Sequence, residues 1–247
     1  MTARIVDVHA HLGPWFFGPD RGSAADNLRS MDAHGIDIQL VSGVEAVTYD
    51  ALSGNPALAA AITGHTRLRG MLVIDPRFLD EAEAQLEELL PSGLFVGAKI
   101  HTDYAATPAG SPRMAEALRL CAARQLPVLV HSWGTQLLDL AEAVAQVDDV
   151  QVIAGHMGGP AWRLAPEAAR RTDRLWLEPG YSQPEADRIR WVLDQVGPER
   201  LLFGSDSTLI DPALSIGAFR AAGLDGQEEE LIMHRNAERL FGLQQHR

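Results

Sequence analysis

Hydrophobic positions along the chain fall into short apolar runs, each followed by a longer amphipathic stretch. The runs are residues 5–8, 38–42, 70–74, 96–100, 128–131, 152–154, 175–178 and 201–203. They are mostly Val, Ile and Leu without polar alternation, the pattern of strands buried on both faces of a parallel sheet. The stretches between them read as helices. Ser23 or Asp26 caps a helix running to Ala33, with Gly35 as its stop. Asn55-Pro56 opens a second, with Asn as cap and Pro at the first helical position. Residues 80–90 carry Ala82, Leu86, Leu89 and Leu90 along one stripe. Ser111-Pro112 opens a helix ending near Gln125, and 135–147, 161–171, 183–196 and 212–222 complete the set. A last tract, 228–241 with a break near Asn236 read as a cap, is expected to pack outside the rest. Strands and helices alternating in this number predict an α/β protein, a (β/α)8 TIM barrel in a single domain over 1–247 with an extra C-terminal helix. The rival is a doubly wound open sheet. A dinucleotide site in it has no support, because no GxGxxG follows the first strand.

Composition narrows the function classes. The chain has 247 residues, 33 acidic and 21 basic, and a formal charge of −12. That balance argues against binding a nucleic-acid backbone, which needs clustered Lys and Arg. Cys121 is the one cysteine, so no intrachain disulfide forms and a reducing, cytoplasmic setting is expected. No apolar run approaches the roughly 18 residues of a membrane span. Met1-Thr2-Ala3-Arg4 leads straight into the first strand, leaving no room for a cleaved signal peptide. The expected partner is a small-molecule substrate, with a homodimer compatible.

The polar residues at the strand ends carry the chemistry. In this fold, active sites form at the C-terminal ends of the strands. Asp7, His9 and His11 are spaced by two on the first strand, so all three are expected to face inward, with the two His at the mouth. His131 ends the fifth run, His156 follows the sixth and Asp206 follows the last. A packed apolar strand has little use for histidine at its end. Imidazole and carboxylate donors together suit zinc first, with manganese, iron, cobalt or nickel compatible. Asp7 reads as a carboxylate supporting the ligands, or as a satisfied carboxylate at the barrel bottom. Trp15, Phe16 and Phe17 follow the first strand, and Trp133, Trp162 and Tyr181 follow the fifth, sixth and seventh. They are candidates for an apolar wall or a subunit contact. Arg163 reads as a solvated helix-start residue rather than a substrate contact. His34, His65, His234 and His246 lie outside the strand-end pattern.

The ordered set resembles the amidohydrolase superfamily, in particular the amidohydrolase-related branch that includes aminocarboxymuconate-semialdehyde decarboxylase-like enzymes. The residues that carry the resemblance are Asp7-Val8-His9-Ala10-His11, Val96-Gly97-Ala98-Lys99-Ile100-His101 and Leu129-Val130-His131. Gly155-His156-Met157-Gly158-Gly159, Phe203-Gly204-Ser205-Asp206 and the closing Arg235-Asn236-Ala237-Glu238-Arg239-Leu240-Phe241 continue it over nearly the whole chain. The resemblance implies one divalent metal held by His9, His11, His131 and Asp206, with His156 as acid/base beside the metal-bound water. The same inventory also fits a two-metal form, in which carbamylated Lys99 bridges and His131 and His156 bind the second ion. Lys99 otherwise stays an ammonium for a substrate carboxylate, with His101 two residues on facing the same mouth.

Three functions follow. The first is a metal-dependent hydrolase of a small amide, lactone or ester. The second is a nonoxidative decarboxylase of an unsaturated or aromatic acid. The third is a catalytically silent metal-binding barrel. The chain is short for the decarboxylases it resembles and lacks arginines in the loops after the first two strands apart from Arg21, which favours the hydrolase.

Overall fold

The computed structural model describes residues 4–18, 21–183 and 185–243. Met1, Thr2, Ala3, His246 and Pro184 of the expected helix 183–196 lie outside the described residues. The described chain alternates strand and helix. Seven strands, β1 (Val6–Leu12), β2 (Ile38–Gly43), β3 (Leu68–Val73), β4 (Phe95–His101), β5 (Val128–Trp133), β6 (Val152–Gly158) and β7 (Leu175–Glu178), pair in parallel and in sequence order. The expected eighth strand differs. Residues 201–207 make only isolated bridges, Leu201 to Leu177 and Ser207 to Ala10. Leu202 N donates to Leu177 O, and Val8 N donates to Phe203 O. This segment therefore closes an α/β barrel between β7 and β1 without joining the ladder.

The helices are α1 (Ala24–His34), α2 (Val44–Thr48), α3 (Ala51–Ile62), α4 (Leu79–Leu89), α5 (Pro112–Ala122), α6 (Gln136–Ala145), α7 (Ala165–Arg171), α8 (Arg188–Val196), α9 (Pro212–Ala221), α10 (Gly226–Glu230) and α11 (Asn236–Phe241). Ser23 and Asp26 cap α1 reciprocally, and Gly35 ends it at φ 70°. Helix α3 begins at Asp50, not at Asn55-Pro56, because Asp50 accepts from Leu52 N and Ser53 N. Pro56 then sits inside the helix, where it cannot donate to Leu52 O. Gln85 Nε2 takes that carbonyl instead, at 2.9 Å. Asn55 is buried and clamps both the N–H and the C=O of Val73.

Two apolar layers hold the barrel. Ala10, Val41, Leu72, Ala98, Val130, Ala154 and Leu177 pack outward against Met31, Leu58, Leu118, Leu140 and Val192 of the helices. Val6, Val8, Leu40, Met71, Leu129, Ile153, Trp176 and Leu202 fill the interior near the strand starts. Ala237, Phe241 and Leu243 belong to that inner cluster. The closing helical tract, which includes one π turn (Leu231–Arg235), thus plugs the barrel bottom rather than lying outside it. Asn236 is buried mid-tract and donates to Pro198 O and Leu201 O, so it ties the plug to the barrel and is not a cap. No helix among the described residues is long and apolar enough to cross a membrane.

Candidate active site and metal centre

A bulge sets the site. Between β1 and β2, Asp7 pairs with Gln39 but Ala10 pairs with Val41, three steps against two. The extra residue lets Val8 and His9 both face the interior, and it reverses the facing of Asp7 relative to His9 and His11. Asp7 therefore does not point into the mouth, as strict alternation requires. It lies in the wall, fully buried, accepting from Gln39 Nε2 at 2.9 Å, Ser205 Oγ at 2.5 Å, Ser205 N at 3.0 Å and His9 N at 3.2 Å. Burial pushes its pKa up to about 6 against those bonds. Its work is to tie β1 to β2 and to the 201–207 segment that carries Asp206.

His9, His11 and Asp206 converge at the mouth, with ligand atoms all within 4.8 Å of one another. Asp206 Oδ1 is 3.1 Å from His11 Nε2 and 3.7 Å from His9 Nε2. Asp206 adopts φ 59° and His156 φ 63°, a region costly for residues with a Cβ. Both residues carry that conformation inside the site. His11 Nδ1 meets Ser42 Oγ at 3.1 Å. His9 Nε2 accepts from Lys99 Nζ at 2.9 Å, so its proton is on Nδ1, which donates to Glu178 Oε2 at 2.7 Å. A carboxylate behind a histidine with the far nitrogen turned to the site is how proteins prepare metal-ligating imidazoles.

Glu178 is the residue that sequence reasoning missed. It ends the apolar run 175–178, and an acid closing a buried strand was the available signal. It is fully buried and also accepts from His156 N at 3.2 Å and from Gly180 N. A Cβ at Gly204 or Gly180 would collide with its side chain, so both glycines make room for it. Burial pushes its pKa up to about 8, opposed by the Gly180 and His156 backbone bonds.

His131 stands one place away from the convergent trio. Its ring stacks on His101, with centroids 4.0 Å apart, and lies parallel to Trp133 at 5.7 Å. Its Nδ1 is 3.1 Å from His156 Nε2, and its Nε2 is 3.5 Å from Asp103. His156 Nδ1 donates to Gly180 O at 2.6 Å. Lys99 is wholly buried, and burial draws its pKa down to about 8 despite Asp206 and Glu178. Burial likewise lowers the pKa of His9, His11, His101, His131 and His156. Burial raises that of Asp206, but the His11 hydrogen bond and the charges of His156, His11 and Lys99 bring it below the ordinary range. Neutral imidazoles beside an ionised carboxylate are the protonation states a divalent cation needs.

The cavity above has a volume of about 590 Å³ and is lined by Trp15, Phe17, Tyr104, Trp133 and Tyr181 beside the polar cluster. Phe16 is exposed at the surface and does not line it. Trp162 is buried away from the mouth, against Trp191, and Arg163 covers it while pairing with Glu185.

The family profile described as Amidohydrolase matches residues 6–243. The chain belongs to this amidohydrolase family. No curated protein sequence matches it. Among solved structures, it is similar to 2,6-dihydroxybenzoate decarboxylase from Rhizobium, with 17% identity, TM-score 0.79 and coverage of 98% of this chain and 99% of that one. It is similar to a dihydroxybenzoic acid decarboxylase from Polaromonas sp. with bound manganese, with 17% identity, TM-score 0.77 and 98% coverage of each. A probable 2-pyrone-4,6-dicarboxylic acid hydrolase from Acinetobacter baumannii is similar at 18% identity and TM-score 0.75, covering 97% of this chain and 99% of that one. At these identities the likeness concerns the amidohydrolase barrel, shared by decarboxylases and hydrolases alike.

Proposed function

We propose that this amidohydrolase is a metal-dependent hydrolase of a small amide, lactone or ester. The convergence of His9, His11 and Asp206, backed by Glu178 and Ser42 at the floor of an aromatic cavity, supports the metal dependence that both chemistries share; what favours hydrolysis is the cavity lining, which among the described residues has no arginine for a substrate carboxylate. Two imidazoles and a carboxylate fit one divalent transition metal and leave positions open, as catalytic sites do. Zinc suits the donors first, with manganese, iron, cobalt or nickel compatible. His9, His11 and Asp206 would hold the cation, which would lower the pKa of water to roughly 7 and polarise a carbonyl. The chain's own groups do the rest. Asp206 accepts the proton released as water attacks. Gly180 O fixes the His156 proton on Nδ1, so His156 Nε2 is the next acceptor and passes the proton to the leaving group. Glu178 holds His9 in the tautomer whose Nε2 faces the site.

His131 enters this scheme as the neighbour of His156 and would be the fourth ligand of a single ion. The two-metal form with carbamylated Lys99 is the alternative. A decarboxylase is the second reading, favoured by the decarboxylases among the similar structures. Elemental analysis of protein never exposed to chelator is expected to find about one metal per chain. Turnover is expected on a panel of lactones, amides and esters, lost on chelation and restored by metal. Metal-free protein with full activity would overturn the reading. Release of CO2 from unsaturated or aromatic acids, without hydrolysis, would replace it with the decarboxylase.

A further inference from the structure

The charged lining of the cavity is unusual for an enzyme that handles anions. Among the described residues it holds Lys99, Asp103 and Asp206, and no arginine. Lys99 has no exposed surface, and its Nζ lies at the floor, 2.9 Å from His9 Nε2, rather than along the wall or rim. Asp206 lies on the floor with the imidazoles. Asp103 is different. It follows β4 at the rim, with its side chain 57% exposed and Oδ2 3.5 Å from His131 Nε2. Arg77 is engaged on Asp75, and Arg163 on Glu185 and Trp162; Arg188 is buried behind the Tyr181 ring, donating to Pro179 O, and does not line the cavity. Arg21 lines a separate cavity with Arg29 and Asp26, on the far side of Ile210.

The walls between floor and rim are aromatic. Trp15 contacts Phe17 with centroids 5.5 Å apart, and Trp133 meets Tyr181 edge-on at 5.2 Å. Trp15 also sets its edge against His11 at 4.9 Å. Aromatic faces reward flat, apolar groups. A carboxylate placed among them loses its water and gains no cation.

We infer that the part of the substrate away from the reacting bond is an uncharged planar or aromatic ring, and that Asp103 at the rim rejects substrates carrying a further carboxylate there. The inference rests on the hydrolase reading for the reacting group, and on the cavity wall alone for the rest of the molecule. A site of this kind gains selectivity by setting a like charge against the wrong ligand as well as by fitting the right one.

The test uses the protein as purified and two probes that share one amide, benzamide and 4-carbamoylbenzoate. Trp15 and Trp133 line the cavity, so their fluorescence reports binding without turnover. Benzamide is expected to bind at least about tenfold more tightly, the size of one like-charge contact at a part-exposed site. Asp103→Asn should narrow the gap to about threefold or less, as should raising the salt concentration for the native protein. Equal or tighter binding of the anionic probe by the native protein overturns the inference, as does a gap that Asp103→Asn leaves unchanged. Turnover separates the two readings. Release of CO2 from an aromatic monocarboxylic acid, with the gap intact, removes the hydrolase and leaves the uncharged distal ring standing. Hydrolysis of a lactone or ester with no gap does the reverse.

Discussion

Replacing Glu178 by Gln changes the site without changing its shape. Three N–H donors converge on the two carboxylate oxygens: His9 Nδ1, His156 N and Gly180 N. An amide has one acceptor oxygen. If that oxygen faces His9 and His156, the new NH2 opposes the Gly180 N–H and one buried donor loses its partner. If it faces Gly180, two donors lose theirs. The first arrangement is favoured, and one orphaned buried donor costs about 1–3 kcal/mol. Removing a carboxyl that burial pushes up to about 8 works the other way, so the lower half of that range is expected.

The effect on metal binding is separate. His9 Nδ1 would donate to a neutral amide instead of a carboxylate, and its Nε2 would become a weaker donor to a cation. Loss of such a partner costs about 10–100-fold in metal affinity, or about 1.4–2.8 kcal/mol. Urea unfolding of metal-free protein reads the first quantity. Competition with a chelator for Zn(II) reads the second, with circular dichroism to confirm the fold. Affinity within twofold of the native value, with unfolding free energy unchanged, would mean that Glu178 neither orients His9 nor supports the loop at Gly180.

Three further outcomes are expected. His156→Ala should keep the metal and lose about 10²–10⁴-fold in turnover, the worth of a positioned acid/base; metal content falling in step with activity would make His156 a ligand. Lys99→Met keeps the buried stem and removes the donor to His9 Nε2, so metal content by elemental analysis should stay near one per chain, whereas a folded, metal-free variant would establish the carbamate bridge. Cys121 is buried in α5, and burial pushes its thiol up to about 12 from 9.0; it should resist thiol reagents at pH 8 until the protein unfolds. Because its folded pKa lies above its unfolded one, its contribution to stability is complete below about pH 9 and falls as pH rises toward 12. Urea unfolding at pH 7 and pH 10 should show a loss in the native chain that Cys121→Ala lacks, and parallel losses in both proteins would refute the assignment.

The barrel was legible because its strands and helices differ in period and length, and because local chemistry marks several helix ends. Ser23 with Asp26, Ser111 and Asp211 all accept backbone bonds at helix starts. Where the reading strayed, a tertiary contact had replaced the local rule. Asn55-Pro56 has the residues of a helix start, yet Gln85, thirty-three residues from Leu52, supplies the hydrogen bond that Pro56 cannot. The eighth apolar run lacks a ladder because its chain turns through Gly204, pressed against Glu178, and then Asp206 at φ 59°. The contact with Glu178 comes from β7 and is invisible in the run itself.

The site shows the same division between local and distant causes. His9, His11 and Asp206 could be picked out as strand-end donors, since residue type and position suffice for that. Their relative orientation could not. A pattern of Asp, His and His at alternate positions looks like one face of a strand, and a single extra residue against β2 puts Asp7 in the wall and His9 in the mouth. That displacement gives the two carboxylates behind the histidines different tasks. Asp7 fixes the backbone, binding His9 N and both donors of Ser205. Glu178 fixes the ring, binding His9 Nδ1. Without the bulge, Asp7 would face the interior in register with His9 and compete for the floor of the cavity. With it, the ionised carboxylate at that floor is Asp206, which comes from the segment that Asp7 holds against β1. The histidine pair is thus positioned by the wall behind it, through His9 N on Asp7 and His9 Nδ1 on Glu178, and a change at Gln39 or Ser205 would reach the mouth through Asp7.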